Sequence, residues 1–237
     1  MGIKGVILDG AGKLKIPQDK KRIKFDVGLS WRAPNSAIWL NAEDDLFVIG
    51  IEPNLDAINS IKKRGTVETK WMGVEITDEN YMLLECAIDN VPAITTRKFF
   101  SMDGDPGTSS LLKPSLKLIS KQKIKSEDGV CVVPFSYILD LVPWNRFEYI
   151  DLVKTDCQGK DMDVLVSMGD YLKRVAYLNC ELTTSGEYEN ETPVHVFLSF
   201  LSEMGFRRLG RRKGDFVNES LRDFISRNSV SNKCLNL

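Results

Sequence analysis

Residues 24–40 read KFDVGLSWRAPNSAIWL, and how this stretch is taken decides the fold. A short apolar run closes on Asp26-Val27-Gly28, as a buried strand does before a sharp turn. Glycine at the third position allows a backbone conformation that other residues resist. Beyond it, Ser36 to Leu40 can form one or two turns of helix, and the proline of SWRAPNS braces the turn in between. The competing reading is a buried strand that ends at Gly28 and meets no ligand.

Working outward, strands and helices alternate. DDLFVIGIEPN reads as a second strand ending at Glu52-Pro53-Asn54. NLDAINSIKKRG places Leu55, Ile58 and Ile61 on one helical face, with basic residues in the last turn and Gly65 as the stop. YMLLECAIDN reads as a third strand closing on Asp89-Asn90, and EYIDLVKTDCQG as a fourth closing on Asp156. KDMDVLVSMGDYL is an amphipathic helix, and VAYLNCELT a fifth strand closing on Glu181. PVHVFLSFLSEMG is a helix, and GFRRLGRRKGDFVNES a closing antiparallel hairpin turning at KGD. The pattern predicts an α/β fold, a mostly parallel sheet with helices on both faces. One domain spans 1–237, with 1–22 as an N-terminal extension. Residues 94–133 break the alternation. They have β-prone flanks and a centre rich in Gly, Pro, Ser and Lys, so a β excursion with a mobile loop is expected there. Its lysines at 113, 117, 121, 123 and 125 read as a solvated face.

Composition narrows the classes. The formal net charge of -1 does not suit a nucleic-acid binder. No apolar run approaches the roughly 18 residues of a membrane span. Lys4, Asp9, Lys13 and Lys15 interrupt anything like a signal peptide. The five cysteines are widely spaced and form no CxxC, so they read as reduced thiols of a cytoplasmic protein. With one histidine and no paired cysteines, no metal site is expected.

In parallel α/β sheets ligands bind at the C-terminal ends of the strands, near the point where strand order reverses. Asp26, Glu52, Asp89, Asp156 and Glu181 all stand at such ends. An acid ending the second strand is the usual device for ribose hydroxyls, which suits Glu52. Pro53 fixes the turn and Asn54 can cap the next helix. A dinucleotide needs further glycines, so that its pyrophosphate meets a helix N-terminus. Here those positions hold Ser30, Arg32 and Ala33. A ligand with a ribose and no pyrophosphate fits better, as S-adenosyl-L-methionine does.

FDVGLS, GIEPN, AIDN, GTSSL, LVKTDCQG and YLNCEL occur in that order, followed by a helix and MGF, with LVKTDCQG about a hundred residues after GIEPN. In this the chain resembles the FkbM-type S-adenosylmethionine-dependent methyltransferases from about Lys24 to Leu209. The resemblance implies a Rossmann-like class I methyltransferase fold with a seven-stranded sheet, and S-adenosyl-L-methionine as cofactor. It implies cofactor contacts from Asp26, Gly28, Leu29, Ser30, Glu52, Pro53, Asn54, Asp89, Asn90, Ser109 and Ser110. Two departures stand out. The family's Asp-Val-Gly-Ala-Asn-x-Gly loop is here Asp26 to Arg32, with Ser30 for the amide and Arg32 for the glycine; Arg32 could pair with a carboxylate, the cofactor's included. Its Lys-x-Asp-x-Glu-Gly motif is here Lys154, Asp156, Gln158 and Gly159, and the change to Gln158 removes what could be a charge or a metal ligand, so metal dependence does not carry over from the resemblance.

Methyl transfer to a hydroxyl needs alignment and a base for the acceptor's proton. Asp156 is the expected base, with Lys154 on the same strand face as its tuner or its ion-pair partner. Glu181 is a second carboxylate, and His195 a further candidate because imidazole titrates near neutrality. Trp31, Trp39, Trp71 and Trp144 could stack on a sugar or belong to the core. The resemblance implies O-methylation of a sugar or natural-product hydroxyl, and the near-neutral charge fits a glycan acceptor. The chain could equally be one domain of a larger glycan-modifying protein. The rival readings are a small-molecule or protein acceptor, a catalytically silent methyltransferase-like binding module, and a nicotinamide-dependent oxidoreductase.

Overall fold

In the computed structural model, apolar residues alternate through β1 (Arg22–Val27): Ile23, Phe25 and Val27 enter one core, while Lys24 and Asp26 face the other way. The same alternation holds in β2 (Leu46–Ile51), where Phe47, Ile49 and Ile51 join the first core and Leu46 and Val48 the second. The structure describes residues 2–182, 186–210 and 214–221. After β1 come α1 (Pro34–Ala42), β2, α2 (Leu55–Arg64), and the small hairpin of β3 (Thr66–Glu68) and β4 (Gly73–Glu75). Next are β5 (Tyr81–Leu84), β6 (Ala87–Ile88), β7 (Thr95–Asp103), α3 (Leu116–Ile119) and β8 (Lys123–Val133). The chain continues through α4 (Phe135–Leu139), β9 (Ile150–Thr155), α5 (Asp161–Val166), β10 (Val175–Cys180), α6 (Val194–Glu203), β11 (Phe206–Arg208) and β12 (Asp215–Asn218).

Seven strands form the main sheet in the order β11-β12-β10-β9-β1-β2-β5. From β5 to β10 neighbouring strands are parallel; β12 runs antiparallel to both β10 and β11. One face is covered by α1 and α2 through Ala37, Trp39 and Ile61. The other is covered by α4, α5 and α6 through Phe135, Ile138, Val164, Leu165, Phe197 and Leu201. This largely parallel seven-stranded sheet flanked by helices is consistent with a class-I-like methyltransferase fold. The closing hairpin is present as β11 and β12, although Lys213 of its expected KGD turn lies outside the described residues. No helix among the described residues is long and apolar enough to cross a membrane.

Three elements differ from the sequence reading. The third strand is two: β5 stays in the main sheet, and β6 joins β8 and β7 in a separate three-stranded sheet. The break falls at Glu85, whose backbone N–H donates to Lys4 O, so the N-terminal segment takes over the pairing there. That segment, read from the sequence as an extension, packs onto the domain with Ile3, Leu14 and Ile16 in the core. In α2 the buried positions are Ala57, Ile58 and Ile61, while Leu55 is exposed, because it opens the helix at the rim, ahead of the turn that reaches the sheet. Residues 95–133 carry a long antiparallel hairpin of β7 and β8.

Candidate functional site

Strand register builds the site. Val27 pairs with Ile51 on one side and Thr155 on the other, and Cys180 pairs with Thr155. The next residues, Glu52, Gly28, Asp156 and Glu181, therefore stand in a row along the carboxyl edge, with neighbouring strands about 4.8 Å apart. The backbone ladder runs one step further through all of them: Gly28 N donates to Ile51 O, Asp156 N to Val27 O, Glu181 N to Thr155 O, and Glu52 N to Leu84 O. Strand order reverses between β1 and β9, which is where a ligand crevice belongs.

Gly28 is required by its neighbour. Its φ is +79°, and a Cβ there would lie 2.0 Å from the Asp156 carbonyl oxygen. The loop after it also bends through left-handed residues, Ser30 at φ 55° and Ala33 at φ 48°. Glu52 holds this loop. Its Oε2 accepts from Leu29 N at 2.9 Å and Ser30 N at 3.1 Å, and its Oε1 accepts from Asn54 N at 2.8 Å. Asn54 caps α2, accepting from Asp56 N and Ala57 N. Burial drives the Glu52 carboxyl up to about 7, because desolvation outweighs the three N–H donors and the charge of Lys154.

Asp26 and Lys154 lie one layer below. Asp26 is fully buried: its Oδ2 accepts from Ser36 N and Oγ, and its Oδ1 sits 3.3 Å from Lys154 Nζ. Asp26 therefore fixes β1 to α1 rather than lining the cavity. Lys154 donates to Gly28 O and lies 3.6 Å from Asp156 Oδ2. Burial works against its charge, but Asp26 and Asp156 outweigh burial and hold its pKa above the ordinary lysine value. Lys154 thus lies beside Asp156 and is buried in an ion pair with Asp26.

At the far end Gln158 stands between two acids. Its Nε2 donates to Asp156 Oδ1 and to Glu181 Oε2, each at 2.7 Å. Burial first, then the neighbouring Asp156, raises Glu181 to about 8. Over this end lies the 104–112 loop. Asp105 caps the turn Pro106–Thr108, Ser109 Oγ accepts from Met102 N, and Ser110 Oγ donates to Gln158 O at 2.9 Å. Tyr188 OH reaches Thr108 O and Gln158 Oε1. The strand ends and this loop enclose a cavity of about 440 Å³. Its walls include Gly28, Ser30, Glu52, Pro53, Ser109, Ser110, Asp156 and Glu181 together with apolar Ile51, Ile88 and Phe99. The size and the apolar lining with a few convergent polar groups suit a cofactor-sized ligand.

Other expected residues lie elsewhere. Leu29 is buried beneath the loop and offers only its N–H, to Glu52. Asp89 follows β6 and is buried in ion pairs with Arg97 and Lys160. Asn90 is exposed beside it, its N–H donating to Asp89 Oδ1. His195 is exposed near the start of α6. None of these three is among the residues lining the cavity. Arg32 lies 3.5 Å from Glu68, and lysines 113, 121 and 125 pair with Glu189, Glu187 and Asp56. Trp39 is core, Trp71 is exposed, and Trp31 is partly exposed beside the loop. The sequence reading passed over Tyr188 and the bridging role of Gln158. The one available signal was the glutamine standing in an otherwise acidic motif.

Three acids with raised pKa bear on the pH response of the fold: buried Glu52 near 7, buried Asp161 near 6, and Glu181, at the exposed end of the site, near 8. Each holds its proton in the folded state to higher pH than in the unfolded chain. Between about pH 4.5 and 8 the folded state thus binds more protons, and these groups' contribution falls as pH rises. The thermal midpoint is expected to drop on going from pH 5.5 to pH 8. A midpoint that rises over this interval would contradict the desolvation of Glu52.

No match was found among curated proteins or among solved structures. A family model described as the methyltransferase FkbM domain matches residues 37–208. The match begins inside α1, so the departing Gly28 loop precedes it, while β2, Glu52, Asp156, Gln158 and Glu181 fall within it. With most of its length matched, the chain belongs to the FkbM methyltransferase family, whose members are S-adenosylmethionine-dependent enzymes.

Proposed function

We propose that this protein has the Rossmann-like class I arrangement and methylates a hydroxyl of a sugar or glycan, with S-adenosyl-L-methionine held in the strand-end cavity. The reading rests on one observation: Glu52 and Gly28 stand at one side of the cavity, and Asp156 and Glu181 at the other, on four adjacent strands. The residues fit the cofactor. Glu52 keeps one lone pair free for a ribose hydroxyl after its three backbone bonds. Ile51, Pro53, Ala87 and Ile88 give an apolar wall for a base. When bound, the cofactor supplies a methyl group already activated on a sulfonium. The chain must then place the acceptor oxygen and take its proton. Asp156 Oδ2 is the available acceptor, since its Oδ1 is committed to Gln158. Carboxylates of Asp156, Glu181 and Glu187 at this end disfavour phosphorylated acceptors and accommodate neutral, hydroxyl-rich ones.

Calorimetry with S-adenosylhomocysteine tests the cofactor site, and mass spectrometry of the denatured protein tests what co-purifies. Saturable binding supports the reading, whereas co-purified nicotinamide dinucleotide would reverse it. Glu52→Ala is expected to lower the affinity by about 1.5–3 kcal/mol, the worth of hydrogen bonds to a charged acceptor. It removes the ribose contact and also frees Leu29 N and Ser30 N, so the thermal midpoint should fall as well. Unchanged affinity in a folded Glu52→Ala protein would rule out the role of Glu52.

A further inference from the structure

Gln158 joins several parts of the site. Both hydrogens of its amide are spent on carboxylates, one on Asp156 and one on Glu181. A flipped amide would aim its oxygen at both acids, so the orientation is fixed by charge. Its oxygen then faces Tyr188 OH at 2.9 Å, and its backbone carbonyl takes Ser110 Oγ. Its φ is +52°, a left-handed conformation that residues other than glycine resist. Such strain persists where the surroundings over-determine it, commonly at functional sites. Four segments therefore meet at one glutamine: the ends of β9 and β10, the 104–112 loop, and the stretch carrying Tyr188.

We propose that Gln158 is a positioning residue: its amide holds Asp156 and Glu181 together as one carboxylate pair and ties that pair to the 104–112 loop. The proposal rests on the methyltransferase reading of the cavity. Two acids in contact cannot both ionise freely, and they titrate as a pair. Lys154 from β9 and Asp161 from α5 act on the pair, and Tyr188, from the segment after β10, feels both of its acids. Glu181 is raised to about 8, by burial first and then by the neighbouring Asp156. The amide's two N–H groups supply the positive end of a dipole to each acid without adding charge. A glutamate at 158 would put a third carboxylate in the same contact and draw in a further proton.

Two variants test this. Gln158→Met keeps the length and removes both donors; Gln158→Glu keeps the shape and adds the charge. In both, the Glu181 carboxyl, followed by ¹³C NMR without cofactor, is expected to titrate at higher pH, because donors to the charged form are lost or a like charge is added. In Gln158→Met, S-adenosylhomocysteine affinity should stay near that of the parent, while turnover falls about 10²-fold, the cost of a misplaced reacting group. In Gln158→Glu the acid limb of the turnover profile should move to higher pH. An unmoved Glu181 titration and an unchanged pH profile in both variants would overturn the proposal and leave Gln158 a loop latch. Absence of S-adenosylhomocysteine binding by the parent protein would instead remove the reading beneath it, and the proposal with it.

Discussion

Asp156→Asn is expected to fold, to bind S-adenosylhomocysteine nearly as the parent does, and to methylate a hydroxyl acceptor about 10²–10⁴-fold more slowly, the usual worth of a general base. The contacts explain why stability should survive. The Asn oxygen can still accept from Gln158 Nε2, and the backbone bond from residue 156 to Val27 O is untouched. What is lost is an ion pair with Lys154 at 3.6 Å on a side chain that is 42% exposed. Pairs of that kind contribute at most about 1 kcal/mol. Nor is Asp156 needed to start α5, because the N–H of Cys157 is taken by Asp161. The effect therefore falls on proton transfer: an amide cannot take the proton that a hydroxyl sheds as its oxygen gains the methyl group. Thermal midpoint, affinity and single-turnover methylation should be measured on one preparation. Turnover that survives would exclude Asp156 as the base and pass the role to Glu181. His195, exposed on α6 and away from the cavity walls, would not be the next choice.

The strand ends were legible because local pattern alone sets them. Short strand-like runs followed by an acid mark β2, β9 and β10, FDVG marks β1, and a parallel sheet then brings Glu52, Asp156 and Glu181 to one edge. The Asn54 cap and the Gly65 stop were legible for the same reason. What stayed hidden depends on partners distant in sequence. Nothing within YMLLECAIDN says that Lys4 will pair with Glu85 and end β5, so Asp89 reads as a main-sheet strand end when it closes β6. Glu52 reads as a free ribose acceptor, but the loop that Gly28 begins folds back and gives it two N–H groups. Gln158 reads as a lost charge. Only when Glu181, Ser110 and Tyr188 arrive from three other segments does it become a junction.

Gly28→Ala is expected to lower stability by about 2–5 kcal/mol: about 1–2 for an L side chain in the left-handed region and about 1–3 for overpacking. For a chain of this size, at about 2–4 °C per kcal/mol, the thermal midpoint should fall by roughly 10 °C. The overpacking share comes from the Cβ that would sit 2.0 Å from the Asp156 carbonyl oxygen and 2.8 Å from its carbon. Neither atom can swing away as a side-chain tip could, since Asp156 N is bound to Val27 O and the next strand is anchored through Glu181 N to Thr155 O. Gly12→Ala is the control. Its φ is +75°, but nothing lies within 4 Å of its added Cβ, so it carries the conformational cost alone. The difference between the two variants thus isolates the contact between the β1 and β9 strand ends. The same shift would push residue 156 out of line with Gln158 and Glu181, so affinity for S-adenosylhomocysteine and turnover should both decline in whatever Gly28→Ala protein remains folded. A Gly28→Ala midpoint equal to that of Gly12→Ala would mean that the loop yields instead, and that the close approach of Gly28 to Asp156 is not what fixes the base in place.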